Sequence, residues 1–211
     1  MRAAEMLQHL QRDIHSVVMA TVDARGRPAT CVMDVMLADE EGLYFLTAVG
    51  KAVYRRLRAA PFVSLTGFTG RDTLSAVSVT VRGPVREVGP GLLPRIFEEN
   101  PYMAALYPTA SSREALTVFV LYAGQGEWMD LSQRPVYREA FAFGGRAVTE
   151  AGFAVGEACT GCGRCLSACP QQCIRLETGR AAIQGAHCLH CGRCAQVCPH
   201  GAIVRLGGEA E

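Results

Sequence analysis

The chain has 211 residues, of which 49% are hydrophobic and 19% charged, and a formal net charge of +1. That composition is that of a packed globular protein of one or two domains. The near-neutral charge gives no electrostatic case for binding nucleic acid or an anionic membrane, and no apolar run approaches the roughly 18 residues of a membrane helix.

Taken in order, residues 2–12 carry Met6, Leu7 and Leu10 at helical spacing and predict a short helix. Met1 to Asp13 holds no apolar segment of the kind an export signal needs, so a cytoplasmic setting is expected. His15 to Asp23 is rich in β-branched residues and predicts a strand, closed by the turn from Asp23 to Pro28. Ala29 to Leu37 and Leu43 to Thr47 predict two more strands, and the three together an antiparallel meander. A basic helix is expected from Lys51 to just before Pro61. Phe62 to Thr69 predicts a fourth strand, and Leu74 to Val88 a fifth with a turn or bulge at Gly83 and Pro84. Gly91 to Asn100 and Tyr102 to Leu106 read as two helical pieces broken by Pro101. Leu116 to Tyr122 and Glu127 to Leu131 predict a last hairpin around Gly124, Gln125 and Gly126, and Ser132 to Gly145 a strap joining two domains. Six or so strands with few helices between them predict a closed antiparallel barrel.

Residues 1–145 resemble the pyridoxamine 5′-phosphate oxidase-related FMN-binding split barrels. The resemblance is carried by Ala20 to Asp23 with Gly26, Arg27 and Pro28, by Gly42 to Thr47 with Lys51, and by Arg58 to Pro61. Val81 to Val85, Glu99 to Met103 and Leu106 to Pro108 continue it in order. It implies an antiparallel split β-barrel, a homodimer formed through that barrel, and FMN as cofactor, with haem- and deazaflavin-binding relatives as alternatives. It also implies that the phosphate sits at the end of the third strand and the start of the following helix, making Thr47, Ala48, Gly50 and Lys51 the candidate contacts. The residues suit an anion: a helix N-terminus offers free N–H groups, Lys51 a charge, Thr47 a hydroxyl, and Gly50 a close backbone approach. Many relatives carry a cation on the second strand, where this chain has Thr30, Cys31 and Val32; Arg55 and Arg56 are the alternatives for holding the phosphate. Val35, Met36 and Trp128 are candidate neighbours of the flavin ring.

Nine of the ten cysteines lie in residues 159–198 and mark a second domain. Cys159, Cys162, Cys165 and Cys169-Pro170 are spaced C-x2-C-x2-C-x3-C-P, and Cys188, Cys191, Cys194 and Cys198-Pro199 repeat the run 29 residues later. At the same offset Gly163 falls on Gly192, Arg164 on Arg193 and Ile174 on Ile203, so one unit is used twice. Disulfides would require export, and zinc sites do not ask for three cysteines at this spacing followed by Cys-Pro; cubane iron–sulfur clusters do.

Residues 151–207 resemble the two-cluster 4Fe-4S ferredoxins, which implies a small α+β domain in which the last cysteine of each run serves the other cluster. One cluster would then take Cys159, Cys162, Cys165 and Cys198, and the other Cys188, Cys191, Cys194 and Cys169. Gly163 and Gly192 are expected to let the backbone approach the sulfur. Cys31 reads as a core residue, and Cys173, aligned with Ala202, as filling a small apolar space. His187, His190 and His200 read as surface or outer groups, and Arg164 and Arg193 either as cations beside the clusters or as solubilising charges.

Clusters pass single electrons and a flavin takes one or two, so such a chain converts between single electrons and a hydride-equivalent pair. The expected function is a flavin-dependent oxidoreductase relaying electrons between an external carrier or redox partner protein, two 4Fe-4S clusters, FMN and a small-molecule substrate. A non-enzymatic carrier or redox sensor is the alternative. Residues 151–211 carry five Arg against four Glu, a net +1, and a mobile ferredoxin is usually acidic, so an internal relay is favoured.

Overall fold

The computed structural model describes residues 2–149 and 151–207. The chain divides into two compact units: Met1–Thr69, Ser78–Glu127 and Phe141–Ala147 form the first, and Gly70–Val77, Trp128–Ala140 and Val148–Glu211 the second.

The first unit opens with α1 (Ala3–His9), continued by a π-helical turn over Leu10–Ile14. β1 (Ser16–Val22) alternates as its sequence dictates, burying Val17, Met19 and Thr21 and exposing Ser16, Val18 and Val22. It pairs antiparallel with β2 (Pro28–Asp34), Val18 facing Val32. The expected second strand breaks at Val35 and Met36 and resumes as β3 (Leu37–Asp39), which pairs with β4 (Gly42–Ala48). α2 (Ala52–Ala59) follows, then β5 (Phe62–Thr69) and β6 (Val77–Gly89). α3 (Leu93–Glu99), α4 (Met103–Leu106) and α5 (Ala110–Arg113) precede β7 (Leu116–Leu121), β8 (Gly124–Asp130) and β9 (Tyr137–Phe143).

These strands form one sheet in the order β2-β1-β5-β6-β7-β4-β3, with β8 pairing β6 and β9. The end strands, β2 and β3, are joined by only two residues, so the sheet must curl until its edges meet. That closure makes the barrel: the expected second strand pairs with β1 along its first part and, past the break, with β4, where Leu37 faces Tyr44, and β4 also pairs with β7. β4 and β7 are buried on both faces. Tyr44, Leu46, Val118 and Val120 pack with Ile96 and Met103, while Phe45 and Phe119, which point the other way, stack at 5.8 Å. Buried Asn100 ties the helical layer to the closure, its amide donating to the carbonyls of Met36 (3.1 Å) and Ile96 (2.9 Å).

Two further expectations change. β7 and β8 do not form a hairpin, because β8 leaves for β6 and β9. Glycines permit the exchange: a Cβ on Gly124 would meet the Arg82 carbonyl, and one on Gly126 the Phe141 ring and the Thr80 carbonyl. The expected strap contains β9. The irregularity in β6 falls at Glu87–Gly89 in its pairing with β7, whereas Gly83 serves close packing, since a Cβ there would run into the Ala123 carbonyl.

In the second unit, β10 (Gly152–Val155) pairs antiparallel with β13 (Ile203–Leu206), and β11 (Ile174–Glu177) with β12 (Arg180–Ile183). α6 (Arg164–Ala168) and α7 (Arg193–Gln196) are related by the repeat. Both sheets pair a strand of one repeat with a strand of the other, so neither repeat completes a sheet alone. The core is small and built largely of cysteines with Ile174, Ala181 and Ile203.

Gly83→Ala should lower the thermal midpoint of the full protein by about 4–8 °C, the equivalent of roughly 2 kcal/mol of overpacking at this chain length. Gly91→Ala, where an added Cβ meets nothing within 4 Å, should leave it within about 2 °C. Calorimetry of the two variants checks both figures.

Candidate cofactor sites

Two concave hollows in the second unit are lined with sulfur. The first gathers Cys159, Cys162 and Cys165 from one run and Cys198 from the other, with Gly161, Gly163, Arg164 and His200. The second gathers Cys188, Cys191 and Cys194 with Cys169, and adds Cys173, Pro170 and Gln171. The interlocked strands bring the last cysteine of each run across to the other.

Local conformation fixes each loop. Gly163 and Gly192 stand just before α6 and α7 with φ of 74° and 75°. A Cβ on Gly163 would meet no other protein atom within 4 Å, and the positive φ alone favours glycine there. Gly161 is the crowded one: a Cβ there would meet the Gly179 carbonyl. Backbone N–H groups point at sulfur, from Ala181 to Cys159 (3.4 Å), His190 to Cys188 (3.4 Å) and Ala202 to Cys198 (3.3 Å). The N–H groups of Ala181 and Gly161, and then Arg180, hold the Cys159 thiol below its ordinary value. Burial pushes Cys165 and Cys194 up. Burial, then the hydrogen bond with Cys169, pushes Cys173 up to about 12.

Four thiols around a hollow, with N–H donors aimed at the sulfurs, fit an iron–sulfur cluster. Among the described residues no three His, Cys, Asp or Glu side chains converge as they would on a single metal ion, so the set fits zinc less well.

No local pattern in the sequence pointed to the segment that bonds to the lining of the second hollow. Val136 is buried; its N–H donates to Gln171 Oε1 (3.0 Å) and its carbonyl lies 2.8 Å from His187 Nδ1. Arg138 Nη1 donates to the Cys188 carbonyl at 3.2 Å. His187 is therefore an anchor for this segment and not a surface group. Arg164 and Arg193 are both exposed at the starts of their helices, and Arg193 contacts Gln196 Oε1 at 3.4 Å.

In the barrel, Thr47, Ala48, Gly50 and Lys51 sit together at the end of β4 and the start of α2. Thr47 is buried, and its hydroxyl has no hydrogen-bond partner among the described residues. A buried orphan hydroxyl costs about 1–3 kcal/mol unless something else satisfies it. Lys51 is the N-cap residue of α2 and makes no side-chain cap, so the first-turn N–H groups are left available. Gly50 is exposed, and a Cβ there would meet nothing within 4 Å. These features fit an anionic group arriving from outside.

The two arginines left open by the sequence differ. Arg55 donates to the Gly50 carbonyl at 3.4 Å. Arg56 donates to Thr21 Oγ1 at 2.7 Å and acts, with Lys51, on Cys31. Burial raises the Cys31 thiol and those two cations oppose it. Arg56 and Lys51 thus put positive charge beside the position on β2 where the expected strand cation is missing. Val35 and Met36 are buried in the core, and Trp128 lies in the second unit.

A polar cluster that sequence reasoning missed lies where β1 and β2 meet α4. Tyr102 donates to Asp34 Oδ2 (2.7 Å), Ser16 to Asp34 Oδ1 (2.6 Å), and His15 Nε2 lies 2.9 Å from the Tyr102 hydroxyl. Burial would push Asp34 up, but the Ser16 and Tyr102 donors and then His15 hold it below its ordinary value. Asp34 lies 18 positions from Ser16 and Tyr102 68 positions from Asp34, so no local pattern revealed the cluster.

Comparison with known proteins agrees with this architecture. Residues 3–127 match the family described as Pyridoxamine 5′-phosphate oxidase, and residues 158–202 match a 4Fe-4S dicluster domain. Among solved structures the chain is similar to a nimc/nima family protein from Clostridium acetobutylicum, at 15% identity and a TM-score of 0.55 over 66% of this chain and 92% of that one. A pyridoxinephosphate oxidase family protein from the same organism, related to general stress protein 26 of B. subtilis, gives 14% identity and 0.51 over 64% and 89%. A heme binding protein from Mycobacterium smegmatis gives 18% and 0.53 over 67% and 58%. No curated protein matches the chain. The fold is a split barrel carried in one chain with a ferredoxin-type repeat. With its match extending over more than half its length, the chain belongs to the pyridoxamine 5′-phosphate oxidase family.

Proposed function

We propose that the protein is a flavin-dependent, iron–sulfur oxidoreductase that relays electrons between an external carrier, two 4Fe-4S clusters, FMN and a small-molecule substrate. The observation that carries this is the pair of four-thiol hollows, each drawing on both cysteine runs, in the same chain as a split barrel. When bound, the clusters supply one-electron transfer and FMN the exchange between one and two electrons.

The chain's own residues have separable tasks. Cys159, Cys162, Cys165 and Cys198 hold one cluster, and Cys188, Cys191, Cys194 and Cys169 the other, while the N–H donors of Ala181, His190 and Ala202 orient three of the sulfurs. Lys51, Arg56 and the α2 N-terminus hold the FMN phosphate, with Thr47 and Gly50 completing its cradle. An outward apolar strip of Val18, Val32 and Phe68 on neighbouring strands supports a homodimer through the barrel; Val32 and Phe68 are 71% and 69% exposed. Among the described residues no helix is long and apolar enough to cross a membrane. Eight cysteines that must stay reduced to bind iron support a reducing, cytoplasmic setting.

Anaerobically purified protein should contain about eight iron and eight acid-labile sulfide per chain. Cys169→Ser should damage the cluster of the Cys188 run and Cys198→Ser that of the Cys159 run, as followed by EPR. Stoichiometric zinc without sulfide, or damage confined to the variant's own run, would refute the assignment. For the barrel, Lys51→Ala and Arg56→Ala should each weaken FMN about tenfold or more, the worth of a charge-assisted hydrogen bond, and riboflavin far less. Flavin fluorescence titration measures both ligands; equal losses would remove those residues from the phosphate.

A further inference from the structure

The 29-residue repeat allows the two sulfur hollows to be compared position by position. Their thiol ligands match one for one. Arg164 lines the first hollow, and Arg138 donates to the carbonyl of Cys188, which lines the second. Several equivalent lining positions differ, such as Thr160 against Leu189, Gly161 against His190 and Gln171 against His200, but one difference alone concerns sulfur: Cys173 falls on Ala202. Both side chains are buried, at 1% and 3% exposure, so neither is a surface accident. The Cys173 Sγ lies 3.5 Å from the Cys169 Sγ and shares the second hollow with Cys188. It thus sits against a ligand sulfur of that hollow.

We infer that Cys173 is a hydrogen-bond donor to the second cluster's ligand sulfurs and sets that cluster's reduction potential, a role Ala202 cannot fill at the first. This rests on the assignment of two cubane clusters above. With Cys169 and Cys188 bound to iron neither keeps a thiol proton, so the only proton in the triad is on Cys173 and the donor is fixed. Reduction adds negative charge to the cluster and its sulfurs. A hydrogen bond to those sulfurs stabilises the reduced form more than the oxidised form and raises the potential. The two clusters are built by one motif, and this thiol is the sulfur by which their surroundings differ.

The test is a mediated redox titration of the full-length, anaerobically purified protein, followed by EPR, with iron and sulfide measured on each sample. Cys173→Ala copies the residue found at the equivalent place in the other repeat. It should keep both clusters and lower one potential about tenfold in equilibrium terms, about 59 mV for a one-electron couple, leaving the other unmoved. Cys173→Ser keeps a donor and should lose less than half of that. Ala202→Cys, which installs the thiol at the first cluster, should raise the other potential. Full loading with both potentials unmoved in Cys173→Ala, or both moved together, would overturn this inference alone. Loss of the second cluster in that variant would make Cys173 a ligand and overturn it too. Wild-type iron and sulfide short of two cubanes would overturn it together with the assignment beneath it.

Discussion

Each sulfur-lined hollow takes three cysteines from one repeat and the fourth from the other. The strands obey the same arrangement, β10 with β13 and β11 with β12. Neither repeat therefore has a complete sheet or a complete thiol set by itself. The core between them holds few large apolar side chains, and most of its buried members are cysteines. A core of that kind offers little hydrophobic stabilisation, so ligand binding must supply much of the folding free energy of this unit.

The barrel depends on a different constraint. Its two edge strands are consecutive in sequence and separated by Val35 and Met36, so the sheet has no freedom to stay open. The closure carries consequences for the candidate flavin site. It brings β2, with Cys31, near Lys51 and Arg56 of α2, and so supplies from a helix the positive charge that β2 lacks. The helical layer is held to the closure by Asn100, and the Tyr102–Asp34 bond adds a second tie. The polar cluster of His15, Ser16, Asp34 and Tyr102 clamps the end of β2.

The segment Ser132 to Gly145 changes character once seen in place. Polar and aromatic residues without clear periodicity suggested a connecting strap. Instead it contains β9, and Val136 and Arg138 hydrogen-bond to His187 and to Gln171 and Cys188, which line the second hollow. Its groups answer partners 35 to 51 positions away, which is why no window of the sequence displayed the pattern.

What the sequence determined by itself was everything set by short-range spacing. The cysteine runs, their repeat, the glycines before α6 and α7, β1, β5 and the start of α2 are dictated by torsional limits, side-chain alternation and the reach of thiols within a loop. Pairing was decided only in the tertiary structure. β8 reads as the partner of β7 because the two are adjacent in sequence, yet Gly124 and Gly126 allow its backbone against β6 in place of a hairpin. The same holds for Arg56 beside Cys31 and for Cys173 against Cys169: each residue is visible in the sequence, but its neighbours are fixed by chain closure and repeat interlocking. Those are long-range contacts whose loop entropy and packing are settled by the whole fold.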